Sequence, residues 1–177
     1  MNEMEIKIIN INLDDIKEKM NTIGAPKVKS ENQINKIFDF PDKRLLKNKG
    51  YARIRIVQDM LHNTTIYYMT TKKMLSQEKY KVMDECETEI KDGEQGENIF
   101  KALGLELLRS IQKYRESYQY KNTLIEIDIN EKSFCPFPYL EIESEDENEL
   151  QEVVKLLGYT MEDTTSKTIH EILNENS

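Results

Sequence analysis

The stretch EMEIKI, residues 3–8, places a charged side chain at every second position. Its charged residues are Glu3, Glu5 and Lys7, and the residues in the other phase are Met4, Ile6 and Ile8. Successive side chains of a β-strand point to opposite faces, so a strand here would gather its charges on one face and its apolar groups on the other. The stretch therefore predicts a strand with one charged face, and the remaining sequence should indicate what that face contacts.

The composition is that of a globular protein with one hydrophobic core. The chain has 177 residues, of which 38% are hydrophobic and 33% are charged. This length suits one domain, so we expect residues 1–177 to fold as a single unit. The formal net charge of −8 argues against binding a nucleic acid polymer, because affinity for a phosphodiester backbone requires a basic surface.

The apolar runs and the metal-binding residue types exclude further classes of protein. No run approaches the roughly 18 apolar residues of a membrane span, and no signal-peptide core precedes the first strand, so we expect a cytoplasmic protein without membrane contact. Two cysteines, Cys86 and Cys135, and two histidines, His62 and His170, are too few for a zinc site, a disulfide framework or a His-based cluster. Any metal ion is therefore expected to have oxygen ligands.

Charged residues at alternate positions recur in later segments that have apolar and β-branched residues between them. The cationic positions are Arg53, Arg55, Lys72, Lys113 and Arg115. The acidic positions are Glu85, Glu87, Glu126, Asp128, Glu141 and Glu143. For any single strand, a solvated polar face is the simpler interpretation. The sorting of the charges by sign from strand to strand favours a shared site.

Amphipathic helices are predicted between and after the strands. Asn12 caps the first of these helices, and residues 96–105 form a second. Ser144 and Glu147 offer a capping box for a third, and residues 165–175 form the last one. Each helix must bury its apolar stripe on an apolar surface, and the apolar face of the strands provides one. A sheet of about eight strands tends to close, so the opposite, charged face would line the interior of a barrel.

Charges in such an interior need partners of opposite charge, because removing an unpaired charge from water costs several kcal/mol of free energy. A polyanion bridged by metal ions meets this requirement. Arginine and lysine side chains bind phosphate oxygens, whereas carboxylates hold Mg²⁺ or Mn²⁺, hard ions that accept phosphate as a further ligand. The pattern therefore predicts a triphosphate site with a divalent metal ion.

EMEIK resembles the ExExK motif of the CYTH family, the triphosphate tunnel metalloenzymes, which include class IV adenylate cyclases, thiamine triphosphatases and inorganic triphosphatases. Later motifs follow in the family's order: QINKIFDFPDKRL, ARIR, TTKK, ECE, KYR, IEID and YLEIE. The resemblance covers roughly residues 1–175. It implies an α+β fold, in which a closed eight-stranded antiparallel β-barrel forms a tunnel and the helices pack outside.

The resemblance also implies roles for individual residues. The implied catalytic residues are Lys7, which would lie near the reacting phosphate, and Glu3 and Glu5, which would belong to the acidic, metal-related wall. The residues implied to clamp the triphosphate are Arg53, Arg55, Lys72, Lys113 and Arg115. The implied metal ligands are Glu141, Glu143, Asp128, Glu126, Glu85 and Glu87, of which the first two are the strongest candidates. One departure weakens the clamp: relatives carry an arginine where this chain has Met83, so one cation is missing or is replaced by Lys79 or Lys81.

We therefore predict a metal-dependent phosphohydrolase acting on inorganic tripolyphosphate, thiamine triphosphate or a nucleoside triphosphate. The attacking water would be oriented or deprotonated by Lys7, if neighbouring cations lower its pKa, or by Glu3 and Glu5. One alternative is a class IV-type adenylate cyclase that makes cyclic AMP and pyrophosphate from ATP. Another is a noncatalytic module that binds polyphosphate or a nucleotide, which Met83 favours. The expected partner is a small-molecule triphosphate, and a homodimer is left open.

Overall fold

The computed structural model describes residues 2–175, and in this part of the chain eight strands close into one barrel. In chain order they are β1 (Asn2–Ile8), β2 (Lys27–Asp39), β3 (Gly50–Asp59), β4 (Thr64–Gln77), β5 (Lys81–Ile90), β6 (Glu106–Tyr120), β7 (Thr123–Asn130) and β8 (Tyr139–Ser144). Around the barrel the order is β1-β5-β4-β3-β2-β6-β7-β8, and neighbouring strands are antiparallel. The prediction of a closed eight-stranded antiparallel barrel is confirmed.

The described part of the chain contains five α-helices. They are α1 (Leu13–Thr22), α2 (Arg44–Lys47), α3 (Gly93–Ala102), α4 (Glu147–Leu156) and α5 (Ile169–Glu175). α1 begins at Asn12 as predicted, where the side-chain oxygen accepts hydrogen bonds from the backbone nitrogens of Asp14 and Asp15 at 3.0 and 3.1 Å. None of the helices between residues 2 and 175 is long and apolar enough to cross a membrane.

The helices pack on the outer, apolar face of the barrel, as predicted. α1 and α4 cover one side, where a buried cluster contains Ile6, Ile125, Ile142, Ile16 and Leu150. Fully burying each such side chain stabilises the fold by about 1.5–3 kcal/mol. α3 covers another side, where the rings of Phe38 and Phe100 lie 5.4 Å apart. A Cβ atom on Gly96 of α3 would lie 2.9 Å from Cδ1 of Ile54, so any other residue here would require side-chain atoms of the barrel wall to shift.

The predicted cap of α4 and the predicted start of α3 are wrong, although α4 begins at Glu147 as predicted. α4 is capped by Asp146, whose carboxylate accepts from the backbone nitrogens of Asn148 and Glu149 at 2.8 and 3.2 Å. Ser144 is still part of β8, so the helix cannot begin there, and its hydroxyl accepts from the backbone nitrogen of Asp146. α3 begins earlier than predicted, because Asp92 caps it.

The last predicted helix also begins later than expected, and the segment before it pairs with β1. The backbone nitrogen of Lys7 donates to the oxygen of Thr165 at 2.8 Å, and the nitrogen of Thr165 donates to the oxygen of Lys7 at 2.9 Å. This pairing is available because β5 pairs with β1 only as far as Glu5. α5 then starts after Thr168, whose hydroxyl accepts from the backbone nitrogen of Glu171 at 3.2 Å.

Residues 164–175 lie across one end of the barrel. Besides the pairing with β1, the side-chain amide of Gln77, at the end of β4, donates to the backbone oxygen of Ser166 at 3.1 Å and to the carboxylate of Glu171 at 2.7 Å. Arg109 of β6 lies 3.2 Å from Nδ1 of His170. The segment is therefore held by strand ends from three parts of the barrel.

The stretch QINKIFDFPDKRL ends β2 with a buried aspartate that accepts several backbone hydrogen bonds. Asp39 is fully buried, and its carboxylate accepts from the backbone nitrogens of Phe40, Leu45 and Leu46 at 2.7, 3.0 and 2.9 Å. These bonds hold the short helix α2, which we did not predict, against the end of β2. The aspartate of the FDFP stretch therefore shapes the end of the barrel.

Candidate active site

The charged rows of the strands face the interior of the barrel. Residues that oppose one another across neighbouring strands share a face. The register pairs Lys72 with Glu85, and it pairs Glu126 with Glu141. The apolar residues in the other phase, such as Ile6, point to the outer face of the barrel, where helices bury them completely. We call the side chains that face the interior the tunnel lining. It includes most of the residues that the sequence selected.

One group of cations lies on β3 and β4. Nη2 of Arg53 donates to Thr70 Oγ1 at 3.3 Å, and it also contacts carboxylate oxygens of Glu85 at 3.4 Å and Glu87 at 3.1 Å. Nζ of Lys72 lies 2.5 Å from the second oxygen of Glu85. These cations therefore have carboxylate partners that a bound anion would have to replace.

Arg55 extends this group towards β6. Its Nε donates to Oδ1 of Asn35 at 3.0 Å. Burial lowers the pKa of Arg55, and the nearby positive charges of Arg53 and Arg115 lower it further. Arg55 therefore lies in a region of excess positive charge, which favours the binding of an anion.

A second group of cations, Lys113 and Arg115, lies on β6. Nζ of Lys113 contacts Oδ2 of Asp128 at 2.9 Å. Arg115 binds Asp128 through two nitrogens, contacts Glu141 at 3.3 Å and forms an ion pair with Glu126. Burial opposes the charge of Arg115, but Asp128 and Glu126 outweigh it and hold the pKa of Arg115 well above its usual value. This arginine is always charged.

Three carboxylates form a cluster on β1 and β8. Side-chain oxygens of Glu5, Glu141 and Glu143 all lie within 4.8 Å of one another. Lys7 lies between two of them, in an ion pair with Glu5 and 3.2 Å from Glu141, and Lys81 also pairs with Glu5. The cluster is thus bounded on one side by two ammonium groups.

The charges of this cluster are unevenly balanced. Burial opposes ionisation of Glu141, yet Lys7 and Arg115 hold its pKa well below the usual value. Burial and the neighbouring charges of Glu126 and Glu141 hold the pKa of Glu143 well above its usual value. Negative charge is therefore in excess at Glu143, and a set of carboxylate oxygens with excess negative charge suits Mg²⁺ or Mn²⁺. The residues present fit the predicted metal ion.

Lys7 differs from its predicted behaviour. Burial favours the neutral amine, but the carboxylates of Glu141 and Glu5 outweigh burial and hold its pKa well above the usual value. The nearest strong charges are thus negative, whereas the sequence-based expectation of a lowered pKa assumed neighbouring cations. With these two carboxylates beside it, Lys7 is a cation that can bind a phosphate oxygen.

The predicted metal ligands separate into two sets. Glu141 and Glu143 lie in the carboxylate cluster, which Glu5 completes. The other four are paired with cations or hydroxyls of the tunnel lining, and they are Glu85, Glu87, Glu126 and Asp128. Glu3 lies between these sets, half-buried and directly opposite Met83 across β1 and β5. The structure therefore brings Glu3 and the six predicted metal ligands to one tunnel but not to one metal site.

Met83 occupies the inner face of β5, with 7% of its surface exposed. Its register partners are Glu3 on β1 and Met74 on β4. Of the two cations considered as replacements for the missing arginine, Lys81 lies in the tunnel with Glu5, whereas Lys79 pairs with Glu147 on the exposed surface at 2.9 Å. Lys81 is therefore the only one of these two that could contact a bound phosphate.

Sequence analysis missed the uncharged members of the tunnel lining. Thr70 donates its hydroxyl proton to Glu87 at 2.6 Å, and Asn35 and Gln33 lie beside each other with their side chains 3.4 Å apart. Tyr51 precedes Arg53 by two residues and therefore shares its face. The strand period contained this signal, but we selected residues by charge alone.

The sequence matches the family model of the CYTH domain over residues 1–169. The chain belongs to the CYTH family. This match covers all eight strands and includes every residue of the candidate site. No curated protein matches the sequence.

Solved structures support the same fold. A protein from Pyrococcus horikoshii OT3 is 27% identical, with 96% of this CYTH chain and 98% of that chain covered and a TM-score of 0.77. A conserved protein from Pyrococcus furiosus is 28% identical, with 94% and 96% covered and a TM-score of 0.74. A protein from Hippeastrum, described as a candidate adenylyl cyclase with a dominant triphosphatase activity, is 14% identical, with 99% and 96% covered and a TM-score of 0.70. At that identity the last likeness shows the fold alone.

Proposed function

We propose that this CYTH protein is a metal-dependent phosphohydrolase that cleaves a triphosphate inside its barrel. The observation that supports this function is the arrangement of the tunnel lining. Two groups of cations, on β3–β4 and on β6, share one closed interior with a cluster of three carboxylates on β1 and β8. A triphosphate with a divalent cation carries both kinds of charge that such an interior needs.

The cations would hold the phosphate chain. In this proposal their present carboxylate partners are exchanged for phosphate oxygens, and the residues concerned are Arg53, Arg55, Lys72, Lys113 and Arg115. Arginine presents two parallel donors to a phosphate, whereas lysine acts as a point charge. Because these cations come from three strands of one closed barrel, β3, β4 and β6, the phosphate chain would be held in one orientation for in-line attack.

Glu5, Glu141 and Glu143 would hold Mg²⁺ or Mn²⁺. The bound ion would neutralise charge on the phosphate oxygens. Lys7, which stays charged between Glu5 and Glu141, would contact the reacting phosphate. Glu3 faces the interior opposite Met83 and would orient the attacking water and accept its proton. In this proposal Lys7 acts as a cation and Glu3 acts as the proton acceptor.

A product assay tests this function. The purified protein is incubated with tripolyphosphate, thiamine triphosphate or ATP, each with Mg²⁺ or Mn²⁺, and orthophosphate, pyrophosphate and cyclic AMP are measured. We expect orthophosphate that requires the metal ion. Cyclic AMP with pyrophosphate from ATP would instead identify a cyclase, and tight metal-dependent binding without turnover would identify a binding module.

The remaining expectations concern partners and location. We propose a small-molecule triphosphate as the partner, with no nucleic acid polymer and no membrane, and a cytoplasmic location. A homodimer stays a prediction, which light scattering of the purified protein at several concentrations would test.

A further inference from the structure

Tyr51 lies among the proposed phosphate-binding cations. It is on the inner face of β3, two residues before Arg53, and its register partner on β4 is Lys72. The guanidinium carbon of Arg53 lies 5.8 Å from the centre of the Tyr51 ring. The phenol ring of Tyr51 therefore lies beside the cations that would hold the substrate.

The charges around Tyr51 distinguish it from the other tyrosines. Burial opposes ionisation of its hydroxyl, but the positive charges of Arg53, Lys72 and Lys81 outweigh burial and lower its pKa. Tyr68 also lies on an inner face, opposite Arg55, yet burial and the carboxylate of Glu31 raise its pKa. Among the described tyrosines with a resolved shift, Tyr51 alone is shifted downwards.

We propose that Tyr51 is a catalytic residue whose hydroxyl donates its proton to the leaving phosphate oxygen. This inference rests on the proposed hydrolysis of a triphosphate. The water oxygen forms a bond to phosphorus while the bond from phosphorus to the bridging oxygen breaks. The electron pair of the broken bond stays on the bridging oxygen, which takes the proton of Tyr51, and Glu3 takes one proton from the water.

The site can support the phenolate formed in this step. The same cations that surround the Tyr51 hydroxyl stabilise its negative charge until it regains a proton from solvent, while Glu3 releases its own proton to solvent. A general acid works best when its pKa lies near the operating pH, and a lowered tyrosine pKa approaches that condition. Two protons are thus exchanged with solvent in opposite directions, and the cycle is balanced.

The first test compares Tyr51→Phe with Tyr120→Phe. The control residue lies on β6 with its hydroxyl 3.1 Å from Glu152, outside the tunnel. We expect Tyr51→Phe to lower kcat by about 100-fold or more, with little change in KM and with loss of the alkaline limb of the pH profile. Tyr120→Phe should leave all three quantities unchanged. A normal kcat and pH profile for Tyr51→Phe, or a change in KM alone, would overturn the proton-donor role.

The second test is a spectroscopic titration that does not require turnover. Tyrosinate absorbance of the wild type, minus that of Tyr51→Phe, reports ionisation of Tyr51. Bound tripolyphosphate with Mg²⁺ should raise the pH of this ionisation, because the anion offsets the surrounding cations. If saturating ligand left this titration unchanged, the proposed contact between the bound phosphate chain and Tyr51 would be overturned. An active wild type with a normal Tyr51→Phe variant refutes only the role of Tyr51, whereas an inactive wild type refutes the proposed function, and with it the proton donation.

Discussion

Arg115 binds Asp128 inside the barrel through two hydrogen bonds, from Nε to Oδ1 at 2.6 Å and from Nη2 to Oδ2 at 2.7 Å. Both side chains are buried, with 8% and 0% exposed, and Lys113 contacts the same carboxylate. The resemblance implied that Asp128 is a metal ligand. In the structure it is the partner of two proposed phosphate-binding cations, which changes what its removal should do.

Asp128→Asn should destabilise the protein strongly. Lys113 and Arg115 would lose the carboxylate that they share, and removing one member of a buried ion pair costs about 3–5 kcal/mol. Urea unfolding gives the free energy. Glu152→Gln is the control, because it removes an exposed pair with Lys121 and should change stability little. Similar losses for both variants would show that Asp128 has no special role in balancing the tunnel cations.

Glu143→Gln should have opposite effects on stability and metal binding. Burial and neighbouring carboxylates already disfavour the charge of Glu143, so the neutral amide should raise the free energy of unfolding without metal. The stabilisation that Mg²⁺ gives the wild type should be lost. Thermal unfolding with and without Mg²⁺ measures both effects, with Glu94→Gln on exposed α3 as the control. A Glu143→Gln variant that still gains stability from Mg²⁺ would remove this residue from the metal site.

The variant Glu141→Gln with Glu143→Gln should abolish metal-dependent turnover while the fold is retained. Both residues lie in the carboxylate cluster, and an amide oxygen is a weaker ligand than a carboxylate oxygen. Turnover is measured by the product assay, and the fold is checked by circular dichroism. Undiminished metal-dependent activity of the folded variant would show that the ion binds elsewhere.

Arg53→Ala should act mainly on substrate binding. Loss of a charged donor to a phosphate oxygen removes about 1.5–3 kcal/mol, so KM should rise about 10- to 100-fold. Initial rates across a range of triphosphate concentrations separate KM from kcat. Arg44→Ala removes an exposed arginine that pairs with Asp42 and should leave KM unchanged. An unaltered KM for Arg53→Ala would argue against the proposed clamp.

Glu116 should make the protein sensitive to acid. It lies outside the tunnel and is 4% exposed, and its carboxylate accepts from the hydroxyls of Tyr114 and Tyr118, both at 2.8 Å. Burial alone would raise its pKa, but these hydrogen bonds and Lys27 lower it from 4.5 to about 2. A carboxylate whose pKa is lower in the folded state than in the unfolded state stabilises the fold at any pH above its unfolded-state pKa. This stabilisation is lost as the pH falls through its folded-state pKa.

The measurement is the free energy of unfolding between neutral pH and about pH 2. Wild-type stability should fall as the pH drops from 4.5 to about 2, and the corresponding slope should be smaller in Glu116→Gln. The variant should also be less stable than the wild type at neutral pH. Equal slopes for the two proteins would assign the acid sensitivity to other carboxylates.

The fold was predictable because most strands repeat one simple pattern. In EMEIKI the alternation alone assigns Ile6 to the helix-covered face and Glu5 to the interior, and both placements are found. The cap of α4 was not predictable in the same way. Ser144 and Asp146 are both good capping residues, and only the length of β8 decides between them.

The grouping within the site depends on the barrel and not on local sequence. Glu85 and Glu141 look alike in their ExE motifs, yet β5 lies beside β4, which brings Lys72 to Glu85. β8 lies beside β1, which brings Glu5 close to Glu141. Strand order cannot be read from alternation, so the sequence could supply the carboxylates but not their partners.

The segment that crosses one end of the barrel also affects how a ligand could reach the interior. While residues 164–175 stay in contact with Lys7, Gln77 and Arg109, they cover part of one end of the barrel, which leaves the opposite end as the less obstructed route for a ligand of the proposed site.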